Sequence, residues 1–265
     1  MVDSSELKQL VKSAFDESIP YYISFEEKYR LYAFLAREMS IISDIKEGSM
    51  VCDVLGGTGA STRILSELVG DSGHVFSINF SDKLIDYVQR ELAKAENVDF
   101  IVGDVTRLAD YLPKKVDGVV FNSSIYLAES ISDTIESAKN VLIDEGAVSL
   151  TYAVGIFDMD GNDLMHRIKL DIDPMISTKP LIQPNIIRRL LDDYFDYTNH
   201  YNISVVVNHD FMKEFFLIPT ESILLFPELN YEERVKRINT IFKELEKITE
   251  KINFKWGLSV ACSAK

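Results

Sequence analysis

Short apolar runs alternate with helix-patterned segments between residues 49 and 154, and this alternation constrains the fold more than any other feature of the chain. Strands that alternate with helices at this spacing form βαβ units, in which a parallel sheet carries helices on both faces. The sequence therefore predicts a doubly wound α/β sheet. The predicted strands are Met50–Leu55, His74–Asn79, Val98–Val102, Val116–Phe121 and Ala147–Val154, and the predicted helices include Ser61–Val69, Asp82–Ala95 and Ile131–Val141.

The regions on either side of this alternation have different patterns. Apolar residues recur at helical spacing through the first 35 residues, and Pro20 is expected to divide this region into two helices. After Gly155 the regularity fails, which predicts insertions that form a cap. The later elements expected here are a short helix at Pro184–Leu191, a strand at Tyr201–Asn208, a long helix at Tyr231–Lys251 and a last strand at Phe254–Ala264, with irregular chain at 156–182 and 210–230.

Chain length and net charge limit the number of domains and the kinds of binding partner that we expect. The chain has 265 residues, which suggests one large domain or one domain with a sizeable insertion. Its formal net charge is −14, and no basic stretch is longer than pairs such as Lys114-Lys115. Because proteins that grip a nucleic-acid backbone present basic patches, this balance disfavours nucleic acid as a partner.

The cysteines and the distribution of apolar residues limit which metal or redox sites and which cellular locations we expect. Cys52 and Cys262 lie in β-like apolar runs without metal or redox spacing, so we expect no metal site. The polar N-terminus has no apolar segment typical of a signal peptide. No apolar run reaches the roughly 18 residues of a membrane span. We therefore expect a cytoplasmic protein without a membrane partner.

A glycine-rich loop follows the first predicted strand in 51-VCDVLGGTGASTRIL-65. Glycine lets backbone N–H groups approach a ligand, and the helix that follows directs its free N–H groups toward the same place. Ala60-Ser61-Thr62 replaces the Lys-Ser or Lys-Thr of a phosphate-binding loop, and the dinucleotide-binding spacing fits poorly. Asp53 at the strand end repels phosphate and attracts a cationic amine.

This run resembles the first motif of class I S-adenosylmethionine (SAM)-dependent methyltransferases. The resemblance spans about residues 45–155 and implies a seven-stranded, mostly parallel Rossmann-like sheet with an inserted cap. It also implies SAM as the cofactor. Four further segments match in family order, namely 73-GHVFSINFSDKLIDYVQREL-92, 98-VDFIVGDVTRL-108, 116-VDGVVFNSSIYL-127 and 141-VLIDEGAVSL-150.

The resemblance assigns cofactor-binding roles at the ends of the predicted strands. It places Asp53, Gly57 and Gly59 along the methionine part of SAM, Asn79 at the ribose, and Asp104 at the adenine amino group. Asn122 and Ser123 would flank the sulfonium. Tyr21 lies in a segment, 14-AFDESIPYY-22, that resembles the family's N-terminal lid. The complete predicted cofactor site is Asp53, Val54, Leu55, Gly56, Gly57, Gly59, Asn79, Phe80, Asp104, Val105, Asn122, Ser123 and Tyr21.

Two positions depart from the family pattern. Leu55 stands where the family usually has glycine, with glycine displaced to Gly56, and Asn79 stands where an acid usually holds both ribose hydroxyls. A neutral amide makes weaker bonds to hydroxyls than a carboxylate does. One interpretation is tolerated variation, and the other is a cofactor that is modified, bound unusually or not used in catalysis.

Methyl transfer from a sulfonium imposes no catalytic signature, because the leaving group is already activated and the protein mainly supplies alignment. If the acceptor carries a proton that must leave, a base is needed. His166, in the predicted cap, and Tyr126, after the fourth strand, are the candidates.

The resemblance also implies a domain plan: an N-terminal helical lid at 1–45, a SAM-binding core at 46–155, cap insertions at 156–253 and the last core strand at 254–265. The function expected is methyl transfer to a small molecule. The alternatives are a SAM-binding protein without methyl transfer, in a regulatory or interaction role, or another transferase on this fold, such as an aminopropyl transferase, or a dehydrogenase. The assembly state is open and includes a homodimer.

Overall fold

The computed structural model describes residues 4–178 and 183–264. Its secondary structure follows the chain in the order α1 (Ser4–Ser13), α2 (Phe15–Tyr29), α3 (Leu31–Ile42), β1 (Met50–Val54), α4 (Ala60–Val69), β2 (His74–Asn79), α5 (Asp82–Glu91), β3 (Val98–Val102), β4 (Val116–Asn122), α6 (Ile131–Val141), β5 (Leu142–Phe157), α7 (Leu164–Asp171), α8 (Pro184–Tyr194), β6 (Tyr197–Val207), α9 (His209–Leu217), α10 (Pro219–Leu225), α11 (Tyr231–Leu245) and β7 (Ile252–Cys262). Short 3-10 turns at Val105–Asp110 and Ile125–Leu127 follow β3 and β4.

The seven strands form one sheet in the order β3-β2-β1-β4-β5-β7-β6. The neighbouring strands from β3 to β5 all pair in parallel. The predicted doubly wound, seven-stranded and mostly parallel sheet is therefore confirmed. Its central strands are mainly apolar because helices cover both faces, and the fully buried residues include Val51, Val54, Val75, Val119 and Leu150.

The chain forms two compact units. The core unit comprises residues 30–152, 184–201 and 257–265, and it holds β1 to β4 with α3 to α6 and α8. The helical unit comprises residues 1–29, 153–183 and 202–256, and it holds α1, α2, α7 and α9 to α11. Strands β5, β6 and β7 have residues in both units.

Each unit has its own apolar interior. In the core unit, Ala33 and Ala36 of α3 pack with Ile64 of α4. In the helical unit, the Phe25 ring of α2 lies 5.1 Å from the ring of Phe211 and 5.7 Å from that of Phe215, both on α9. Among the described residues, no helix is long and apolar enough to span a membrane.

Several predicted boundaries were wrong at the ends of elements. Pro20 lies inside α2, and the breaks come instead at Ala14 and at Arg30, whose φ is +53°. Pro20 is the sixth residue of α2, so it removes one internal hydrogen bond, yet the helix continues through it. The helix predicted at Tyr231–Lys251 ends at Leu245, and the one predicted at Asp82–Ala95 ends at Glu91.

β5 and β6 are longer than predicted, β7 begins and ends two residues before its predicted bounds, and the cap is more regular. β5 runs from Leu142 to Phe157 and starts directly after α6. β6 begins at Tyr197, four residues before the predicted start at Tyr201. The region 210–230, expected to be irregular, contains most of α9 and all of α10. The irregular region predicted at 156–182 includes residues 179–182, which lie outside the described residues.

Gly257 of β7 is required by the approach of Tyr152 from β5, and both residues belong to the core unit. A Cβ on Gly257 would lie 2.2 Å from Cε2 of the Tyr152 ring. The Tyr152 hydroxyl makes hydrogen bonds with Ser259 Oγ at 3.2 Å and Arg188 Nε at 3.1 Å, so the ring is fixed in place. The Tyr152 ring thus occupies the space that a side chain at position 257 would fill.

A double-mutant cycle tests this contact. Gly257→Ala should destabilise the protein by about 3 kcal/mol, because the new methyl overlaps the ring. The same change in a Tyr152→Ala background should cost less than about 1 kcal/mol, since the ring is gone. In Tyr152→Phe, which keeps the ring, the full cost should remain. Urea unfolding gives all these values, and an equal cost in the three backgrounds would contradict the contact.

Candidate functional site

The carboxyl ends of β1, β2, β3 and β4 lie at one edge of the sheet. Asp53 of β1 lies opposite Ser77 of β2 and opposite Val120 of β4, and Asn79 of β2 lies opposite Val102 of β3. The chain passes from β1 to β2 on one side, while β4 lies on the other side, so the strand order reverses at β1. In open α/β sheets, ligands bind at this reversal, outside the carboxyl ends of the strands.

Asp53 anchors the loop that leaves β1. Its side chain is fully buried. Oδ2 accepts hydrogen bonds from Ser61 Oγ at 2.8 Å and Thr62 Oγ1 at 2.6 Å, both in the first turn of α4. A Cβ on Gly56 would lie only 2.4 Å from the same oxygen. The carboxyl thus ties the end of β1 to the start of α4, and the loop passes over it where only glycine fits.

The second oxygen of this carboxyl is unusual. Asp53 Oδ1 is buried without a hydrogen-bond partner among the described residues. Burial raises the pKa of Asp53 to about 6, although the hydrogen bonds from Thr62 and Ser61 act in the opposite direction. Because the carboxyl lies beneath the loop, its first role is to hold the loop, and the direct contact with a ligand amine stays a prediction.

Leu55 keeps the backbone conformation that glycine adopts most easily. Its φ is +59°, in the left-handed region, and its side chain is only 2 % exposed. Its N–H donates to the Ile78 carbonyl of β2 at 2.8 Å. The loop therefore needs a left-handed backbone at position 55, where the family usually has glycine. Gly56 must be glycine for a different reason, because a Cβ there would overlap the Asp53 carboxyl. The left-handed conformation costs free energy for a leucine, and burial of its side chain offsets part of that cost.

Gly57 is the half-buried glycine of the loop that has open space beside it. Its φ is +58°, and no described atom lies within 4 Å of the position that a Cβ would occupy. Gly59 differs, because a Cβ there would lie 2.6 Å from Val88 of α5. Gly59 is thus fixed by packing within the protein, whereas Gly57 leaves open space beside the backbone that a ligand can approach.

The turn after β2 holds two of the predicted cofactor residues. Asn79 is 4 % exposed, and its Oδ1 accepts the N–H of Ser81 at 3.0 Å. Ser81 in turn caps α5 by accepting the Leu84 N–H at 3.3 Å. Phe80, between them, is 44 % exposed. The amide oxygen of Asn79 is therefore engaged in the turn, and the ribose role stays a prediction.

The turn after β3 presents a surface carboxylate. Asp104 Oδ1 accepts from the Thr106 N–H at 2.9 Å and from its hydroxyl at 2.8 Å, and the backbone bond is the main reason that the pKa of Asp104 lies below its ordinary value. The Asp104 N–H donates to the Tyr111 hydroxyl at 3.1 Å. Asp104 is exposed while Val105 is buried. An ionised acceptor is thus available here for an amino group.

The loop after β4 is held by Thr151 of β5. The Thr151 hydroxyl donates to Asn122 Oδ1 at 2.8 Å and accepts the Ser123 N–H at 2.9 Å. Asn122 Nδ2 donates to the Tyr32 carbonyl at 2.8 Å. Ser123 has a φ of +55°, so this loop is also strained. The side chain of Asn122 is committed to the protein, and its role beside the sulfonium stays a prediction.

Sequence reasoning missed the residues that support these loops. Ser124 joins the two central loops, since its Oγ donates to the Val54 carbonyl at 2.8 Å. Tyr111 and Thr151 support the turns at Asp104 and Asn122 as described above. The sequence signal was weak: Thr151 is one hydroxyl residue in an apolar strand, and Tyr111 lies seven residues beyond Asp104.

The two candidate bases lie in different units, and the candidate lid residue lies in the helical unit. Tyr126 belongs to the core unit, in the 3-10 turn after β4, and is half-buried. His166 belongs to the helical unit, on α7, where it lines a cavity of about 300 Å³. Tyr21 also belongs to the helical unit, and its ring lies edge-on to that of Tyr231 with 5.9 Å between centroids. Their roles toward a substrate or cofactor stay predictions.

No metal centre is visible in the described part of the chain. Within residues 4–178 and 183–264, no group of three or more His, Cys, Asp or Glu side chains is placed to hold a metal ion.

Comparison with known proteins agrees with this geometry. Residues 45–192, which are more than half of the chain, match the family model of a methyltransferase domain. The chain is 40 % identical over 70 residues to protein-L-isoaspartate O-methyltransferase of Methanothrix thermoacetophila, covering 26 % of this chain and 33 % of that protein. It is 29 % identical over 114 residues to demethylmenaquinone methyltransferase of Staphylococcus saprophyticus, covering 41 % of this chain and 47 % of that protein.

A solved structure resembles the whole fold. The crystal structure of the YcgJ protein from Bacillus subtilis matches 88 % of this chain and 99 % of its own, with a TM-score of 0.58 and 11 % identity. At this identity the likeness concerns the fold alone. The chain spans between a third and a half of the length of the two curated relatives, so their matches concern part of each protein.

The strain at Leu55 can be measured by comparing alanine with glycine. Both Leu55→Ala and Leu55→Gly lose the buried side chain, but only alanine keeps the left-handed strain. Leu55→Gly should therefore be the more stable of the two by about 1 kcal/mol in urea unfolding. The same pair at Leu65, buried within α4, should show the opposite order by about 1 kcal/mol, because glycine weakens a helix. The same order at both positions would contradict the strain.

The buried carboxyl predicts a pH-dependent loss of stability. The pKa of Asp53 is raised from 3.8 to about 6 by folding, so the native state prefers the protonated form. Its stabilising effect is complete below about pH 4 and is lost as the pH rises through 6. Relative to Asp53→Asn, the wild type should lose about 3 kcal/mol between pH 4 and 7.

The measurement is urea unfolding at several pH values. The exposed Asp86 of α5 provides the matched control, and Asp86→Asn should run parallel to the wild type across the whole range. A wild-type profile parallel to that of Asp53→Asn would show that the Asp53 carboxyl does not titrate as described.

Proposed function

Because the chain belongs to the methyltransferase domain family, we propose that it transfers a methyl group from SAM to a small-molecule acceptor. SAM is the cofactor that membership of this family implies. The resemblance to class I SAM-dependent methyltransferases is confirmed at the level of family and fold. The small-molecule acceptor is part of the proposal.

The loop after β1 is the observation that carries the proposal. Gly57 leaves open space beside its backbone, at the reversal of strand order where ligands bind. Asp53 holds an uncompensated oxygen beneath the loop, which favours a positively charged group nearby. Both features fit the methionine part of SAM, with its ammonium group, and the carboxyl of Asp53 disfavours a phosphate.

The chain would hold the cofactor with backbone and side-chain groups at the ends of three strands, β1, β2 and β3. SAM supplies a methyl group on a sulfonium, which needs no further activation. Gly57 lets the main chain approach the methionine part, Asp104 accepts from the adenine amino group, and Asn79 faces the ribose. The protein then contributes alignment and exclusion of water.

Charge and cavity size support a small acceptor. The net charge of −14 disfavours nucleic acid. The two curated relatives do not decide the class, since one is named for demethylmenaquinone and the other for protein L-isoaspartate. A cavity of about 300 Å³ in the helical unit is at the lower end of the size of small-ligand pockets.

A methyl group at Gly57 tests the proposed SAM site. Gly57→Ala should weaken SAM binding at least tenfold in calorimetry, because its Cβ would occupy the space beside the backbone, whereas its effect on stability should stay near 1 kcal/mol. Gly161 is the matched control: its φ is +90°, and no described atom lies within 4 Å of its Cβ position either. Gly161→Ala should show a similar loss of stability with unchanged SAM affinity.

The outcomes separate the proposal from its alternatives. A wild-type protein that does not bind SAM, or equal affinities in the two variants, would contradict the site. SAM binding without release of S-adenosylhomocysteine in the presence of any acceptor would favour a binding protein without methyl transfer. Release of methylthioadenosine would instead indicate transfer of the aminocarboxypropyl group of SAM, or of an aminopropyl group when decarboxylated SAM is the substrate.

A further inference from the structure

The helical unit contains a cavity whose volume, about 300 Å³, suits a molecule of roughly ten to twelve non-hydrogen atoms. Every lining residue in the described part of the chain belongs to this unit. The walls come from the end of β5, from α7, α9 and α10, and from the start of β7.

Aromatic and aliphatic side chains form most of the cavity wall. The Phe215 ring lies edge-on to Phe216, with 5.5 Å between centroids, and edge-on to Phe254 at 5.2 Å. Met165 and Leu224 add aliphatic surface. Such a wall favours a flat or apolar molecule, because burial of apolar surface is the main source of affinity in pockets of this kind.

Glu221 introduces a carboxyl into this apolar wall. The residue is 8 % exposed and lines the cavity from α10. The Tyr22 hydroxyl donates to its Oε1 at 2.8 Å and lies 2.9 Å from Thr220 Oγ1. A buried carboxyl with a single neutral donor is poorly compensated, since burial of an ionised group is costly without a cation or several donors.

The charged groups near α10 do not provide that compensation. Arg234 of α11 directs Nη1 to the Pro219 carbonyl at 3.3 Å, and its guanidinium lies over the Tyr231 ring. Lys28 of α2 pairs with Glu214 of α9 at 2.7 Å. His166 and Asp163 line the cavity but are exposed. In the described residues, no cation is paired with Glu221, and burial raises its pKa to about 7.

We propose that this cavity binds the methyl acceptor, and that the acceptor is a small, mainly apolar molecule with one hydroxyl or amine that donates a hydrogen bond to Glu221. The apolar wall holds the body of the molecule, and Glu221 selects the polar end. A donor from the ligand supplies the hydrogen bond that the buried carboxyl lacks. That the ligand is the methyl acceptor rests on the proposed function, whereas the binding site itself does not.

A structural role for Glu221 is the alternative explanation. The hydrogen bond with Tyr22 links α2 to α10, so Glu221 could serve only to join these helices. Glutamine keeps an acceptor oxygen for the Tyr22 hydroxyl but removes the negative charge. Glu221→Gln should therefore retain the link between the helices, and its effect on ligand selectivity separates the two roles.

Three probes of the same size and shape test the proposal: 2-phenylethanol, 2-phenylethylamine and propylbenzene, which differ only in the terminal hydroxyl, amine or methyl group. Each is titrated into the full chain and followed by ligand-observed NMR. In the wild type, at least one of the alcohol and the amine should bind tenfold or more tighter than propylbenzene. In Glu221→Gln, this preference should fall below threefold. The stronger of the alcohol and the amine identifies the donor group of the natural ligand.

Two further variants keep the test decisive if Glu221→Gln is unstable. Met165→Trp should fill the cavity and weaken all three probes at least tenfold. Met159→Trp is the control, since Met159 is 57 % exposed and does not line the cavity, and it should bind the probes as the wild type does. Equal binding of the three probes, no binding of any, or binding that Met165→Trp leaves unchanged would overturn the proposal.

SAM calorimetry on the same samples separates this proposal from the proposed function. SAM binding that persists while the probes fail to bind would overturn the cavity proposal alone. Probe binding that follows the expected order in a protein without SAM binding would overturn the proposed function and leave the cavity as a binding site of another kind.

Discussion

The candidate site depends on one buried carboxyl. Asp53 lies at the end of β1, bonds to the two hydroxyls that open α4, and leaves no room for a side chain on Gly56 above it. The path of the loop follows from these contacts. The contacts of Asp53 lie on one side of the loop, and on the other side no described atom lies within 4 Å of a Cβ position on Gly57, so the backbone there can contact a ligand.

The alternation of strands and helices allowed the central sheet to be predicted. The apolar strands β1 to β4 are bounded by turns, so their limits in the sequence match those in the structure within one residue. The cap was less predictable, because α9 and α10 are short and their aromatic residues are buried by tertiary packing rather than by helical periodicity alone. The break at Arg30 also has no signal in the sequence, since a left-handed arginine is set by its surroundings.

The candidate site was predictable where motifs lie at strand ends and less so where side chains from distant segments support them. The residues at Asp53, Asn79, Asp104 and Asn122 come to one edge because parallel strands end together. Thr151 could not be assigned, because its partners are about 30 residues away in sequence. Glu221 was missed for a similar reason: a single acid in 219-PTESILLF-226 does not reveal that it is buried beside a cavity.

Leu55 shows how such a loop can persist without its usual glycine. The hydrogen bond to Ile78 and the buried side chain hold the left-handed turn in place, so the backbone shape is set by neighbours and not by the residue itself. A residue other than glycine can therefore occupy this position when its neighbours hold the turn. Searches that demand glycine there will overlook chains whose main chain follows the same path.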